Sequence, residues 1–192
     1  GIGVFAKNGN HVSSLRWRGE FKMRGLKRSH KSYAWSTADL KLFLPFKLND
    51  KYTILGVWTK GSDSEVFGYI GQFWKYLQIH DKELSKLNTL ILGDFNSNAV
   101  WDKSDRWWSH SGVIDELAEL DIHSLYHHRE NEDQGSETKP TFYLHRNKDK
   151  SYHIDYAFVS KDLLNLSNVE IRSIGDWLPI SDHMPMTITI SS

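Results

Sequence analysis

The sequence has no cysteine, no long apolar run and, over its first 31 residues, almost no acid. Without cysteine there can be neither a disulfide nor a thiolate metal site, so any metal must rest on Asp, Glu, Asn or His. No uninterrupted apolar stretch reaches the length of a membrane span. The opening Gly1-Ile2-Gly3-Val4-Phe5 also lacks the charged and long apolar regions of a signal peptide. A soluble protein with no membrane partner is expected, placed in the cytoplasm, although a chain free of cysteine suits any compartment. Of the 24 basic and 24 acidic residues, 8 and 1 fall in residues 1–31, which leaves 16 and 23 in the rest. A basic edge beside an acidic body suits a polyanionic substrate, and a solvated hairpin accounts for the charge equally well.

What is present is enough for one core: 192 residues, 39% hydrophobic and 13% aromatic, read as a single domain over 1–192. Residues 1 to 6, a turn at Asn8-Gly9 and residues 11 to 17 predict a β-hairpin, so the chain enters a strand almost at once, which is unusual for a complete domain. Next, Arg16, Arg18, Lys22, Arg24, Lys27, Arg28 and Lys31 interleave with Trp17 and Phe21, and Tyr33 and Trp35 follow. Such a stretch either holds phosphates and stacks on bases or forms an ordinary half-buried sheet edge. Strands are expected over 39–45 and 52–58, turning at Asn49-Asp50, with Trp58 lining a pocket or closing the core. A capping box at Ser62-Asp63-Ser64-Glu65, with Val66, Ile70, Phe73 and Leu77 at helical spacing, predicts a helix over much of 64–87. Gly68 and Gly71 weaken it, so packing must compensate. That helix leads into a strand at 89–92, a strand–helix–strand unit of the α/β type.

Beyond it, the irregular stretch with Trp101, Trp107 and Trp108 reads as a cleft wall, and Ser111 as the cap of a helix carrying Val113, Ile114, Leu117, Ala118 and Leu120. Residues 127–140 read as a mobile surface loop with His127 and His128 solvated. Further strands are expected at 141–144, 152–160 and 186–190.

Three stretches carry chemistry. In Leu92-Gly93-Asp94-Phe95-Asn96 an apolar run stops at a glycine that permits a bend or a close approach. If the chain stays extended, Asp94 and Asn96 share one face while Phe95 turns into the core; a polar turn that merely ends a strand is the plainer reading. In residues 152–159, alternation sets His153 and Asp155 opposite Ile154, Tyr156 and Phe158, and an acid in mid-strand is costly unless partnered. Ser181-Asp182-His183-Met184-Pro185 enters the last strand.

Gly-Asp-Phe-Asn, Ile-Asp-Tyr-Ala-Phe and Ser-Asp-His-Met-Pro, in this order, resemble the endonuclease/exonuclease/phosphatase superfamily, the fold of pancreatic deoxyribonuclease, over most of the chain. The resemblance implies an α/β fold, a four-layer sandwich of two packed mixed β-sheets flanked by helices. It also implies a metal-dependent phosphoester hydrolase, most readily a nuclease or phosphodiesterase acting on nucleic acid by in-line attack of water. On this likeness Asp94 orients or deprotonates the water, and Asn96 holds it or a phosphate oxygen. His183 contacts the scissile phosphate, Asp155 fixes its imidazole, and Asp182 binds or lies near Mg²⁺ or Mn²⁺. His153 and Trp58 are candidates for substrate contact, Trp58 standing where many nucleases of the family carry tyrosine.

The departure is as specific. Members of the superfamily begin with a strand bearing an asparagine and another bearing the metal-ligating glutamate, and Glu20 and Glu65 lie in the wrong context to replace it. A fragment, or a chain completed by a missing amino-terminal segment or a second chain, is therefore expected, since exposed sheet edges are rarely tolerated. Two other readings stand beside the nuclease: a catalytically inactive relic that binds nucleic acid or protein, and a phosphatase or phospholipid phosphodiesterase of the same fold.

Overall fold

Two segments without a charged residue, 52–58 and 89–92, lie side by side at the centre of the molecule. Strands buried on both faces carry such continuous apolar runs. The computed structural model describes residues 1–23, 34–61, 67–106 and 108–191. Along it come β1 (Val12–Ser14), β2 (Glu20–Lys22), β3 (Ala34–Ser36), β4 (Phe43–Leu48), β5 (Tyr52–Trp58), α1 (Ile70–Leu84), β6 (Thr89–Asp94), α2 (His110–Glu119), β7 (Ile122–Ser124) and α3 (Leu125–Glu130). There follow β8 (Phe142–Tyr143), β9 (Ser151–Tyr152), β10 (Asp155–Ser160), α4 (Lys161–Leu164), β11 (Ser167–Ile171), α5 (Ile174–Trp177) and β12 (Met186–Ile190). The central sheet has the order β1-β4-β5-β6-β10-β7. Only β5 and β6 run parallel, joined by α1, and every other neighbour is antiparallel.

Each face of this sheet is covered. On one, Leu55, Val57, Ile91, Phe95, Tyr156 and Phe158 pack under α1 and α2 through Phe73, Trp74, Leu77, Leu84, Val113 and Leu117. On the other, Ile54, Leu90, Ala157 and Val159 meet Val169, Ile171, Met186 and Ile188 of the paired β11 and β12. The result is the mixed α/β architecture, a large central sheet flanked by helices. Among the described residues the second sheet is small, β12 pairing with β11 alone.

Burial of Phe73, Leu77 and Leu84, at about 1.5–3 kcal/mol each, outweighs the ~1 kcal/mol that Gly71 costs α1. A Cβ at Gly71 would come within 3.0 Å of Phe67 and Trp108, so the glycine admits the indole. The helix is shorter than the periodicity implies, and the capping box at 62–65 lies outside the described residues. Asn8 and Gly9 do turn, with φ of +55° and +76°, but residues 1–6 form no strand and β1 pairs with β4. The expected strand at 39–45 begins later, because residues 37–39 make a 3₁₀ turn. Ser109, not Ser111, caps α2 by accepting from the Gly112 N–H.

The aromatic and basic stretch divides by burial. Trp17, Phe21 and Trp35 pack onto the α1 core, Phe21 stacking on Trp35 at 5.0 Å, whereas Arg16, Arg18 and Lys22 face outward. Trp35 is buried and Trp17 and Phe21 are half-buried against the core, as an ordinary half-buried sheet edge would place them. Arg24, Lys27, Arg28, Lys31 and Tyr33 lie outside the described residues.

Candidate active site

Three neighbouring strands end together. Trp58 of β5 is the register partner of Asp94 of β6, and Asp94 is the partner of Asp155 of β10. Period-two alternation places all three side chains on the face shared by Ile54, Leu90 and Ala157, toward β12. Gly93 makes the junction: its φ is +147°, and a Cβ there would lie 1.9 Å from the Val57 carbonyl oxygen. The glycine is thus required by close approach of β5.

After Asp94 the chain does not stay extended. Asn96 has φ +44°, and its N–H donates to Asp94 Oδ1 at 2.8 Å. The expected alternation fails, yet the two side chains meet by this Asx turn. Asn96 Nδ2 donates to Asp94 Oδ2 at 2.8 Å and to the Thr59 carbonyl at 3.0 Å. Both amide protons are thereby committed, which leaves Oδ1 to accept a proton from water and leaves no donor for a phosphate oxygen.

His183 arrives from the loop before β12. Its Nδ1 donates to Asp155 Oδ2 at 2.9 Å, and its ring lies 4.6 Å from that of Phe142. The loop is fastened as a short extra strand: Tyr143 N–H donates to the Asp182 carbonyl and Met184 N–H to that of Thr141. Thr141 Oγ1 in turn accepts the N–H groups of Ile154 and Asp155, both at 3.0 Å. Sequence reasoning missed Thr141 and Phe142, whose sole signal was the Thr-Phe pair opening a short strand after Pro140. It also missed Thr59, whose N–H donates to the Asp94 carbonyl at 2.9 Å and whose hydroxyl donates to that of Phe95.

Two carboxylates directly opposite one another repel. Burial, and then Asp155, push the Asp94 carboxyl up to about 6, although the Asn96 hydrogen bonds pull it down. The Asp155 hydrogen bond raises the His183 imidazole above its ordinary value against the opposing effect of burial. Asp94, Asp155 and His183 each offer a ligand atom within 4.8 Å of the other two. Two half-buried carboxylates that face one another, with His183 offsetting only part of their charge, fit a divalent cation.

Not every expected residue joins them. Asp182 lies outside that trio of ligand atoms, its backbone carbonyl being what holds the loop. His153 is 3% exposed and turned away from the cluster, because the chain breaks between β9 and β10. Its Nδ1 donates to the Lys139 carbonyl at 2.8 Å and its ring packs on Tyr126 and Tyr156. His127 is not solvated either: it donates to Glu137 at 3.0 Å in a pair with side chains 10% and 4% exposed. Asn98 and the Gly135 N–H also donate to Glu137, so the loop at 131–140 is tied down by buried bonds. His128 alone is exposed as expected. Trp58 stands at the rim of an apolar groove of about 400 Å³ that runs past Ile2, Val4, Ile54 and Ile188 to Asp155.

No protein of curated function matches the sequence. Solved structures do. The endonuclease domain of TRAS1, a telomere-specific non-LTR retrotransposon, is 17% identical with a TM-score of 0.53, covering 96% of this chain and 80% of that one. The 3′-5′ exonuclease from Neisseria meningitidis is 17% identical with a TM-score of 0.60 over 78% of this chain and 65% of its own. A 3′ phosphatase from Neisseria bound to a product DNA hairpin gives 18%, 0.60, 78% and 65%. The chain thus spans just under two thirds of the Neisseria proteins, and likeness at this identity speaks to the fold. The family model described as Endonuclease/Exonuclease/phosphatase family matches residues 42–183, a stretch that runs from β4 to His183 and takes in all three strand ends of the site. On that match the chain belongs to the endonuclease/exonuclease/phosphatase family.

Proposed function

We propose that the chain is a divalent-metal-dependent phosphodiesterase that cleaves nucleic acid by in-line attack of water. The observation that supports this most directly is the Asp94–Asp155–His183 cluster with Asn96 bonded to it. A proton acceptor near neutrality, an acceptor that orients water and a cationic imidazole are what phosphoester hydrolysis asks of side chains. Asp94, held near 6, takes the proton of a water whose other proton is accepted by Asn96 Oδ1. His183, kept protonated by Asp155, offers Nε2–H to a phosphoryl oxygen. Asp94 and Asp155 would hold Mg²⁺ or Mn²⁺ through oxygen, with Asp182 close by, and the bound ion supplies charge neutralisation at the phosphoryl group. Nucleic acid as substrate draws support from the neighbours, among them one solved with DNA.

We also infer that residues 1–192 form one domain whose second sheet is completed by a further strand, from an upstream segment or a second chain. The apolar groove lined by Met186 and Ile188 of β12, a strand that pairs with β11 alone among the described residues, supports it. The function is tested by hydrolysis of bis(p-nitrophenyl) phosphate and of single- and double-stranded oligonucleotides with Mg²⁺ or Mn²⁺. Loss in Asp94→Ala and His183→Ala is expected, and equal rates in wild type and both variants would refute the assignment.

A further inference from the structure

A second cavity, of about 270 Å³, has Asn96 in its lining. One wall comes from the start of α1, including Tyr69, and the other from the stretch between β6 and α2, including Trp101, Lys103, Arg106 and Trp108. Trp101 is 47% exposed and Tyr69 51% exposed, large aromatic surfaces of the lining left to water. Trp101 is not loose, because its ring rests on Tyr152 at 5.2 Å. Tyr69 is held at φ +52° with its N–H donating to the Lys60 carbonyl and its ring against Gly61. A non-glycine residue held in that region costs of order 1–3 kcal/mol and persists where the surroundings impose it. Lys103 and Arg106 are exposed, and Arg106 has only a 4.0 Å contact with the exposed Asp105. The acid in the lining, Asp102, accepts from the N–H groups of His110 and Ser111. The lining thus sets two exposed cations against one carboxylate already held by backbone donors, and a ligand with an anionic and an aromatic part is the one that fits it.

We propose that this cavity takes the nucleoside next to the cleaved phosphate of an unpaired strand, with its base on Trp101 and Tyr69 and a neighbouring phosphate on Lys103 and Arg106. The proposal rests on the phosphodiesterase reading above, which places the reacting phosphate beside Asn96, and it adds a specificity. A base inside a duplex has both faces occupied and reaches an aromatic wall only when unstacked, so single strands bind in preference to duplex. Base stacking on exposed aromatics is tolerant of sequence, while the two cations follow the backbone and make binding depend on salt.

Equilibrium binding without turnover tests it, by fluorescence anisotropy of labelled oligothymidine, oligouridine and a DNA duplex in EDTA. Wild type is expected to favour the single strands. Trp101→Ala and Tyr69→Ala each weaken single-strand binding about 5- to 150-fold, the loss that removing one stacking platform brings. Trp101→Phe keeps most of the affinity, so a packing defect is told apart from a lost platform. Lys103→Glu with Arg106→Glu lowers affinity and flattens its salt dependence by about one to two in log–log slope. Leu87→Ser, exposed elsewhere, leaves binding unchanged. Affinities of all variants within twofold of wild type, or equal binding of duplex and single strand by wild type, overturn the proposal. Weakened binding in Trp101→Ala with no hydrolysis of any phosphodiester by wild type sinks the phosphodiesterase reading and keeps the cavity. Hydrolysis with unaltered binding does the reverse.

Discussion

Replacing Asp94 by Asn should stabilise the protein while abolishing its chemistry. In the folded state burial and the facing Asp155 hold the Asp94 carboxyl at about 6, against 3.8 for the group in the open. That difference is about 3 kcal/mol between its two protonation states. The folded protein keeps this proton to higher pH than the unfolded chain, so it binds more protons between about 4 and 6 and loses stability as pH rises through that window. The penalty is absent well below 3.8 and complete above about 6. Asparagine removes it and keeps an oxygen for the Asn96 N–H. It sacrifices the bond from Asn96 Nδ2, at about 1 kcal/mol. The net gain at pH 7.5 is then about 2 kcal/mol, or about 4–8 °C in Tm for a chain of this size. At pH 4.5 about a third of the penalty remains, the lost bond cancels it, and the two proteins should melt together. Thermal unfolding in EDTA at both pH values reads this directly. A variant no more stable at pH 7.5, or equally stabilised at pH 4.5, would refute the reasoning that charge, not packing, sets the Asp94 environment.

Asp155→Asn removes the leading cause of the raised His183 pKa, so the alkaline fall of kcat/KM should move to lower pH, and the imidazole resonance of His183 should titrate lower with it. The same pair stabilises the fold fully below pH 6.5 and is lost as pH rises through the raised value. Glu137 behaves oppositely. Burial raises it, but bonds from His127, the Gly135 N–H and Asn98 prevail and bring it to about 2, so its roughly 3 kcal/mol is present above 4.5 and lost as pH falls. Glu137→Gln should flatten the acid limb of stability between pH 5 and pH 2.5, read by urea unfolding. Gly93→Ala forces a Cβ against the Val57 carbonyl at a φ that only glycine tolerates, and should lower stability by about 3–5 kcal/mol or prevent folding. Thr141→Val leaves the N–H groups of Ile154 and Asp155 unpaired, which costs about 2–4 kcal/mol in urea unfolding and, through Asp155, lowers kcat.

How much of this was legible in the chain depends on how local each cause is. The strand at 52–58 emerged with its observed bounds because its seven residues carry no charge and are flanked by the Asn49-Asp50 turn. The helix at 70–84 was readable from its apolar spacing, but its start was not, since Tyr69 takes a left-handed backbone that no propensity favours. Residues 1–6 look like a strand and form none, because a strand exists only where a neighbour offers hydrogen bonds, and pairing is a tertiary fact. The same limit governs His127 and His153. His127 lies in a polar stretch and reads as solvated, and His153 lies in an alternating stretch and reads as facing the site, yet the return of Glu137 over the one and Lys139 over the other makes both bonded and inaccessible.

The forces that build the candidate site differ in part from the periodicity that points to it in the sequence. An extended chain would set Asp94 and Asn96 on one face, yet an Asx turn unites them, so the turn-forming habit of Asp and Asn is the device itself. An acid in mid-strand, as the sequence places Asp155, is costly without a partner. In the fold it stands at the first position of β10, opposite Asp94, and the partner is His183, delivered by a loop fastened to β8. What periodicity could not reveal is the register that sets Trp58, Asp94 and Asp155 abreast. A shift of one residue would carry Asp94 into the core under α1, so the uncharged faces of β5, β6 and β10, which have nowhere else to be buried, are what hold two repelling carboxylates together.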